Sequence, residues 1–298
     1  MKTSPSVFLL LLNLMISYPL RAAEVEVLHW WTSGGEARSI NLLKQRMEAQ
    51  GYFWKDFAVN GGGGESAMTV LASRVFSGNS PSAAQIKAYD IQDWARLGFL
   101  ANIDAIATAE RWDAILPEVI AAQVKWDGQY VAAPINIHRS NWLWANTKVF
   151  KENGLAIPRT LTEFYLVGDQ LKQRGIIPLA HGSQPWQDAT LFDAIALGVL
   201  GAHDYIKAFV DLDMDTLSGA KMVEVFTHFK RLHEYIDSDA AGRNWNDATQ
   251  LLVDGKAAMQ VMGDWVKGDF SSAGKVAGAD YECVPAFGTD GLFTYNVD

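Results

Sequence analysis

The residues of this sequence best suited to chemistry are tryptophans that stand next to polar side chains. Of the 11 tryptophans, Trp30 and Trp31 end a strand-like run and are followed closely by Glu36. Trp245 lies in the polar run NWND, and Trp265 lies in MGDW. The C–H faces of a pyranose ring stack on flat aromatic rings, whereas its hydroxyls need polar partners, because an unpaired polar group costs about 1–3 kcal/mol when buried. These residues therefore indicate a site for a sugar ring.

The roles of single side chains in this site follow from their chemistry. Glu36 can accept hydrogen bonds from two hydroxyls, and Lys87 can donate to others. For any one tryptophan, packing in the core is the competing interpretation. Adjacent residues of a strand point to opposite faces. One ring of the Trp30-Trp31 pair can therefore face the site while the other packs in the core.

Other chemistries are disfavoured by the motifs that are missing. Gly61–Gly64 stands between a strand and a helix, where phosphate loops lie, but no Lys-Ser/Thr pair follows, so a tight turn capped by Ser66 is the favoured interpretation. No serine lies in a G-x-S-x-G elbow, which disfavours a serine hydrolase. No ligand spacing relates the six histidines, so the sequence predicts neither a metal site nor a cofactor. They are His29, His138, His181, His203, His228 and His233.

The elements that must position these residues alternate between strands and helices. Residues 24–31, 53–59 and 83–89 are strand-like, and apolar residues at helical spacing follow the first two of these runs. This alternation predicts an α/β fold with a parallel or mixed sheet covered by helices. Ligands of such folds bind at the carboxyl ends of the strands. After residue 135 the chain becomes extended and aromatic and then mainly helical, with a capping box at Thr160 and Glu163.

The N-terminal segment predicts export. Lys2 precedes the apolar run 7–16, and the small residues Ala22 and Ala23 follow it. This order is typical of a secretory signal peptide, which we assign to residues 1–23. The apolar run reaches only about half of the ~20 residues that span a bilayer, and an uncleaved anchor is the alternative. We expect the mature chain in the periplasm, and no later segment that could span a membrane.

Charge and cysteine content narrow the partners. The chain has 25 Lys+Arg against 34 Asp+Glu, a net charge of −9, with no basic block. Nucleic acid and anionic membrane surfaces are therefore unfavourable partners. Cys283 is the only cysteine, so an internal disulfide is excluded and stability must come from a packed core.

Five segments together resemble the extracellular solute-binding proteins of ABC sugar transporters, and look most like their glucose/galactose-binding branch. The resemblance extends over residues 24–298 and is carried by VLHWWTSGGE, FAVNGGGGESAMTVLASRVFSGNSPSAAQ, APINIHRSNWLWAN, WNDATQLLVDGKAAMQVMGDW and FTYNVD. It implies two α/β lobes, residues 24–140 and a helix-rich 141–298, joined by crossing segments that act as a hinge. Family members continue beyond Asp298 and return to the first lobe, so the resemblance implies that a C-terminal part is missing here.

The resemblance also implies a function. The chain would be a monomeric periplasmic receptor, not an enzyme, that captures a monosaccharide, foremost glucose, in the cleft between the lobes and delivers it to the membrane permease of an ABC importer. Carried over by motif, the sugar-binding residues are Trp30, Trp31, Glu36, Gln85 and Lys87 from the first lobe, Trp245 and Trp265 opposite, and Asn296 and Asp298 at the end.

Two further functions stay open on the sequence. A secreted carbohydrate-active enzyme also lines its cleft with tryptophans and carboxylates, and it would need two carboxyl groups roughly 5–10 Å apart. Glu36, Asp264 and Asp298 are the candidates for such a pair. A chemosensory receptor would use the same binding chemistry as a transport receptor.

Overall fold

The computed structural model describes residues 23–298. The predicted signal peptide lies outside the described residues except for Ala23. The first part of the chain contains β1 (Glu24–His29), α1 (Gly34–Ala49), β2 (Phe53–Ala58), α2 (Glu65–Phe76), β3 (Ala83–Ala84), α3 (Ala88–Arg96), α4 (Asp104–Ala109), α5 (Trp112–Ile115), α6 (Glu118–Gln123), β4 (Lys125–Trp126) and β5 (Gln129–Tyr130).

The second part of the chain contains β6 (Ile137–Arg139), β7 (Trp142–Asn146), α7 (Thr147–Asn153), α8 (Leu161–Gln173), β8 (Ile177–Leu179), α9 (Pro185–Phe209), α10 (Met214–Leu217), α11 (Ala220–Leu232), α12 (Trp245–Val253), β9 (Ala257–Met262), α13 (Val266–Ser272), β10 (Tyr281–Pro285) and β11 (Tyr295–Val297). Short 3-10 helices lie at Gly62–Gly64, His233–Tyr235 and Ser238–Ala240.

A parallel sheet in the order β2-β1-β3 forms the centre of the first lobe. The register pairs Leu28 of β1 with Phe57 and with Ala84. Leu28 is fully buried, and Ile40 of α1 and Leu71 of α2 pack in the same cluster. This arrangement confirms the α/β prediction. β3 has only two residues, so most of the strand predicted at 83–89 is irregular chain that ends at the start of α3.

A mixed sheet in the order β10-β7-β9-β8 forms the centre of the second lobe. All six residues of β9 are buried, as expected for a central strand covered on both faces. Phe164 of α8 and Leu191 of α9 are fully buried in the cluster beside this sheet. The capping box predicted at Thr160 and Glu163 is confirmed, since the Glu163 backbone N–H donates to Thr160 Oγ1 and Glu163 Oε2 accepts from the Thr160 N–H.

The helix α9 corrects one expectation about membranes. Within residues 23–298 it is the one helix that is long and apolar enough to cross a bilayer by length and composition. Gly201 has φ 72° and ψ 169°, so the helical path is broken there. Leu191, Ala194 and Ile195 are fully buried against the second-lobe core. The apolar composition of α9 is therefore explained by a core helix.

Two strands cross between the lobes. β6 and β11 pair antiparallel, with Ile137 opposite Val297. Val297 is fully buried in the first-lobe cluster, although it lies far along the chain from that cluster's other members. The lobes are thus joined by more than one connection.

Candidate functional site

A cavity of about 650 Å³ lies between the two lobes. Side chains of the first-lobe cluster, of a second-lobe cluster that contains Trp245, and of the crossing strands line it. Its volume falls within the roughly 300–1,000 Å³ of small-molecule sites. Seven of the nine residues predicted to bind sugar line this cavity: Trp30, Glu36, Lys87, Trp245, Trp265, Asn296 and Asp298.

The other two predicted residues, Trp31 and Gln85, do not line it. Trp31 is 4 % exposed and faces a second cavity of about 480 Å³ inside the first lobe. This follows from strand geometry, because the rings of Trp30 and Trp31 leave opposite faces of the chain after β1. Gln85 lies behind the site, where its Oε1 accepts from the Trp30 N–H at 3.2 Å and its Nε2 donates to Asp298 Oδ2 at 3.2 Å.

The glycines that follow β2 allow tryptophan rings of the cavity to lie directly against the backbone. A Cβ on Gly62 would lie 2.6 Å from the Trp186 ring, and one on Gly64 would lie 2.9 Å from the Trp30 ring. Both distances are too short for a side chain, so glycine is required by close approach. Gly64, with φ 82°, precedes α2, and Ser66 makes no capping hydrogen bond there, so its predicted capping role was wrong. Lys87 Nζ donates to the Gly63 carbonyl and thereby ties α3 to this turn.

The second lobe supplies an aromatic wall that is fixed by its core. Trp245 begins α12 and is 4 % exposed. Its backbone carbonyl accepts from Thr249 Oγ1 at 3.0 Å and from Gln260 Nε2 at 3.2 Å. The rings of Trp186 and Trp265 lie 6.1 Å apart with an interplanar angle of 56°. These rings offer apolar faces on one side of the cavity, opposite Trp30.

Glu36 is held as a largely protonated acid at neutral pH. Burial raises the pKa of its carboxyl to about 8, and the neighbouring Asp269 and Asp298 carboxylates act in the same direction. Ser33 Oγ donates to Glu36 Oε2 at 3.2 Å and opposes the shift. A protonated carboxyl can donate one hydrogen bond and still accept others. Glu36 can thus serve a hydroxyl as donor or acceptor, which is broader than the acceptor role predicted for it.

The lobes contact each other beside the cavity. A Cβ on Gly35 of α1 would lie 2.6 Å from the Cα of Gly268 in α13, and a Cβ on Gly268 would lie 2.9 Å from the Cα of Gly35. Arg38 Nη2 donates to the Gly268 carbonyl at 3.3 Å. Backbone of the first lobe therefore packs directly on backbone of the second, so the structure has its lobes in a closed arrangement.

Several cavity-lining residues were missed by the sequence analysis, notably His138, Trp186, Asp193 and Tyr205. Tyr205 donates to Asp193 Oδ1 at 3.1 Å, and burial raises the pKa of Asp193 to about 6. Trp186, Asp193 and the cavity-lining Leu197 share one face of α9 by helical spacing, which is a signal that the sequence contains. Tyr205 lies beyond Gly201, where α9 departs from helical geometry, and no sequence pattern showed that break.

Comparison with known proteins gives consistent matches. Residues 56–294 match the family model "Bacterial extracellular solute-binding protein". A "Probable sugar-binding periplasmic protein" of Rhizobium meliloti is 48 % identical over 279 residues, which are 93 % of this chain and 67 % of that protein. A protein of the same description from Brucella suis is 46 % identical over 92 % of this chain and 65 % of its own length. The chain thus spans about two thirds of the length of these relatives.

Solved structures share the fold. The bacterial solute receptor AcbH, described as having an exclusive preference for β-D-galactopyranose, superposes with a TM-score of 0.72 at 18 % identity, over 92 % of this chain and 70 % of that one. At this identity the match supports the two-lobed fold alone.

Proposed function

This chain belongs to the bacterial extracellular solute-binding protein family, and from that premise we propose that it is a periplasmic sugar receptor of an ABC importer. Glucose is the monosaccharide that we propose it captures, and the permease subunits of the importer are its proposed partners. The names of the relatives from Rhizobium meliloti and Brucella suis support a sugar as the ligand and the periplasm as the location.

The observation that carries this proposal is the pairing of aromatic and polar groups across the interlobe cavity. Trp30 belongs to the first lobe, and Trp245 and Trp265 belong to the second, yet all three line one cavity. Glu36 and Asn296 line the same cavity and can exchange hydrogen bonds with hydroxyls. A ligand with apolar ring faces and a polar rim suits this lining, and closure of the lobes around it would shield both kinds of contact from water.

We propose that the sugar leaves unchanged. A retaining or inverting glycosidase needs one carboxyl as acid and a second, accessible carboxylate as nucleophile or base. The raised pKa of Glu36 would let it act as the acid. Both carboxylate oxygens of Asp298, however, already accept hydrogen bonds: Oδ1 from Asn296 at 2.9 Å and Oδ2 from Gln85 at 3.2 Å. The Asp264 carboxylate is likewise held by His138 and by the Arg139 N–H. These carboxylates act as structural acceptors.

We also propose that the lobes are close to the predicted ranges, 24–140 and 141–298, with the last residues as part of the hinge. Val297 packs in the first-lobe cluster and Asn296 pairs with His138 of β6, which supports counting β11 with the crossing strands.

Calorimetric titration with glucose, galactose and xylose tests the function. We expect glucose to bind with a 1:1 stoichiometry and to be recovered chemically intact after incubation. The matched variants are Trp265→Ala, in the cavity, and Trp126→Ala, an exposed ring on β4 that does not line it. Binding should weaken in the first variant alone. Conversion of the sugar, or equal loss in both variants, would contradict the proposal.

A further inference from the structure

His138 lines the cavity from a crossing strand. It lies on β6, and its side chain is only 14 % exposed. Its ring stands edge-on to Trp265, with ring centroids 5.3 Å apart and an interplanar angle of 88°. The imidazole is therefore placed between the two lobes, against one of the rings proposed to contact sugar.

Hydrogen bonds and ion pairs connect His138 to both lobes. Its Nδ1 lies 2.6 Å from Asp264 Oδ1, at the end of β9, and its Nε2 lies 3.5 Å from Asp298 Oδ2, at the end of β11. Asp298 accepts from Gln85 Nε2, and Gln85 Oε1 accepts from the backbone N–H of Trp30. A continuous polar chain thus runs from the Trp265 side of the cavity, through the imidazole, to the Trp30 side.

The charges that face the imidazole favour its protonated form. Burial alone would lower the pKa of His138, but hydrogen bonds to Asp264 and Asp298, together with their negative charges, outweigh burial and raise that pKa to about 9. Glu36 also faces His138, and the imidazolium charge opposes, without cancelling, the rise of the Glu36 pKa that burial causes. The nearby Arg139 guanidinium lies over the Trp142 ring at 3.9 Å, in a contact of its own. A doubly protonated imidazole can donate from both nitrogens, which a neutral one cannot.

We propose that His138 is a positioning residue of the sugar site proposed above, on which this inference rests. Its imidazolium bridges Asp264 and Asp298 and so fixes the position of the Trp30 ring relative to the Trp265 ring across the hinge. Loss of its proton would remove the positive charge that pairs with both carboxylates. Asp298 would then lose its link to the second lobe, and the aromatic walls would no longer be fixed relative to each other.

The test compares His138→Gln with His228→Gln. His228 lies on α11 and pairs with Tyr165 outside the cavity, so it is a matched control. NMR titration of the histidine rings in the whole chain, without sugar, measures whether His138 is held in its protonated form. We expect the His138 ring to titrate near pH 9 and to titrate lower in Asp264→Asn. Tryptophan fluorescence of the unaltered chain should change as pH passes this value, and the change should be absent in His138→Gln.

Glucose affinity supplies the functional readout. In the unaltered chain and in His228→Gln it should fall about tenfold between pH 7.5 and 10, the effect of one charge-assisted hydrogen bond. In His138→Gln it should be weaker at pH 7.5 and should lack the fall centred near pH 9, keeping only the change that accompanies ionisation of Glu36 near pH 8. A His138 ring that titrates at or below its ordinary value, or a His138→Gln variant with unaltered affinity and pH profile, overturns the inference. If glucose fails to bind the unaltered chain at any pH, the proposed function fails, and the ring titration and fluorescence still decide whether the bridge exists.

Discussion

The two lobes present their halves of the cavity in different ways. The first lobe has a three-stranded sheet whose third strand has two residues, and its site residues lie on the turns that follow strands: Trp30 after β1, Glu36 in the first turn of α1, and Lys87 before α3. The second lobe has a four-stranded sheet with a fully buried central strand. Its Trp245 is anchored to that strand through Gln260.

This difference suggests a division of roles. The second lobe offers an aromatic wall whose rings are fixed by the core. The first lobe offers polar groups on short turns. Glycines of these turns lie too close to tryptophan rings for a larger residue to replace them. Polar groups on turns adjust to the hydroxyl pattern of a ligand more readily than rings packed in a core. We therefore expect substitutions in the second lobe to change affinity for sugars in general, and those in the first lobe to change the choice among sugars.

The largest expected effect distinguishes Trp31 from its neighbour Trp30. Trp31→Ala should destabilise the fold by about 3–5 kcal/mol, the usual cost of deleting a buried tryptophan side chain, because Trp31 packs in the first-lobe core. Glucose affinity of the folded fraction should be unchanged. Urea denaturation gives the stability and calorimetry gives the affinity. Weaker binding with an intact fold would instead place Trp31 at the sugar.

Backbone contact between the lobes should be next in size. Gly35→Ala would place a Cβ against the Gly268 backbone, and overpacking of this kind costs roughly 1–3 kcal/mol. The cost should appear as weaker binding and a more open shape in small-angle scattering. The fold itself should not be destabilised, because alanine favours helix over glycine by about 1 kcal/mol. Ser39→Ala, one turn further along α1, is the control, and equal affinities for the two variants would show that this contact is not part of closure.

The second-lobe wall should respond through affinity alone. Trp265 is only partly buried, so Trp265→Ala should leave the fold largely intact while weakening glucose binding by roughly 1–3 kcal/mol, the scale of a lost aromatic contact at a binding site. The loss should be similar for galactose. A loss confined to one sugar would reverse the division of roles between the lobes.

The smallest effect concerns Glu36 and pH. Its carboxyl has a pKa near 8 in the folded chain and 4.5 as the ordinary value, so the folded chain binds the extra proton. The associated stability is complete below about pH 4.5 and is lost as pH rises through about 8. Glu36→Gln should remove this slope and be more stable than the unaltered chain at pH 8.5, where the unaltered chain must bury an ionised carboxylate. Parallel pH profiles of the two chains, measured by thermal unfolding, would contradict the assigned burial of Glu36.

The fold was predictable where local patterns repeat. Strand and helix periodicity indicated the α/β class, and the Thr160 capping box located the start of α8. The family resemblance then implied two lobes and a cleft, and seven of the nine named residues line one cavity. Which ring of the Trp30-Trp31 pair faces that cavity depends on how β1 is oriented in its sheet, and adjacent residues alone cannot show this.

The missed residues depend on contacts that are distant in sequence. His138 becomes important only when Asp264 and Asp298 are brought to its two nitrogens, which requires β6, β9 and β11 to meet. Tyr205 donates to Asp193 from beyond Gly201, where a single unusual backbone conformation interrupts α9. Neither feature leaves a periodic signal in the sequence.

The most direct test of a sugar held between the lobes is a proton–nitrogen NMR spectrum of the tryptophan indoles during glucose titration, with signals assigned by single substitutions. The indoles of Trp30, Trp186, Trp245 and Trp265 should shift together, because all four line the interlobe cavity. Those of Trp31 and Trp54, which line the cavity inside the first lobe, should stay in place. Shifts of Trp31 and Trp54 without the other four would place the ligand in the cavity inside the first lobe and contradict a sugar site between the lobes.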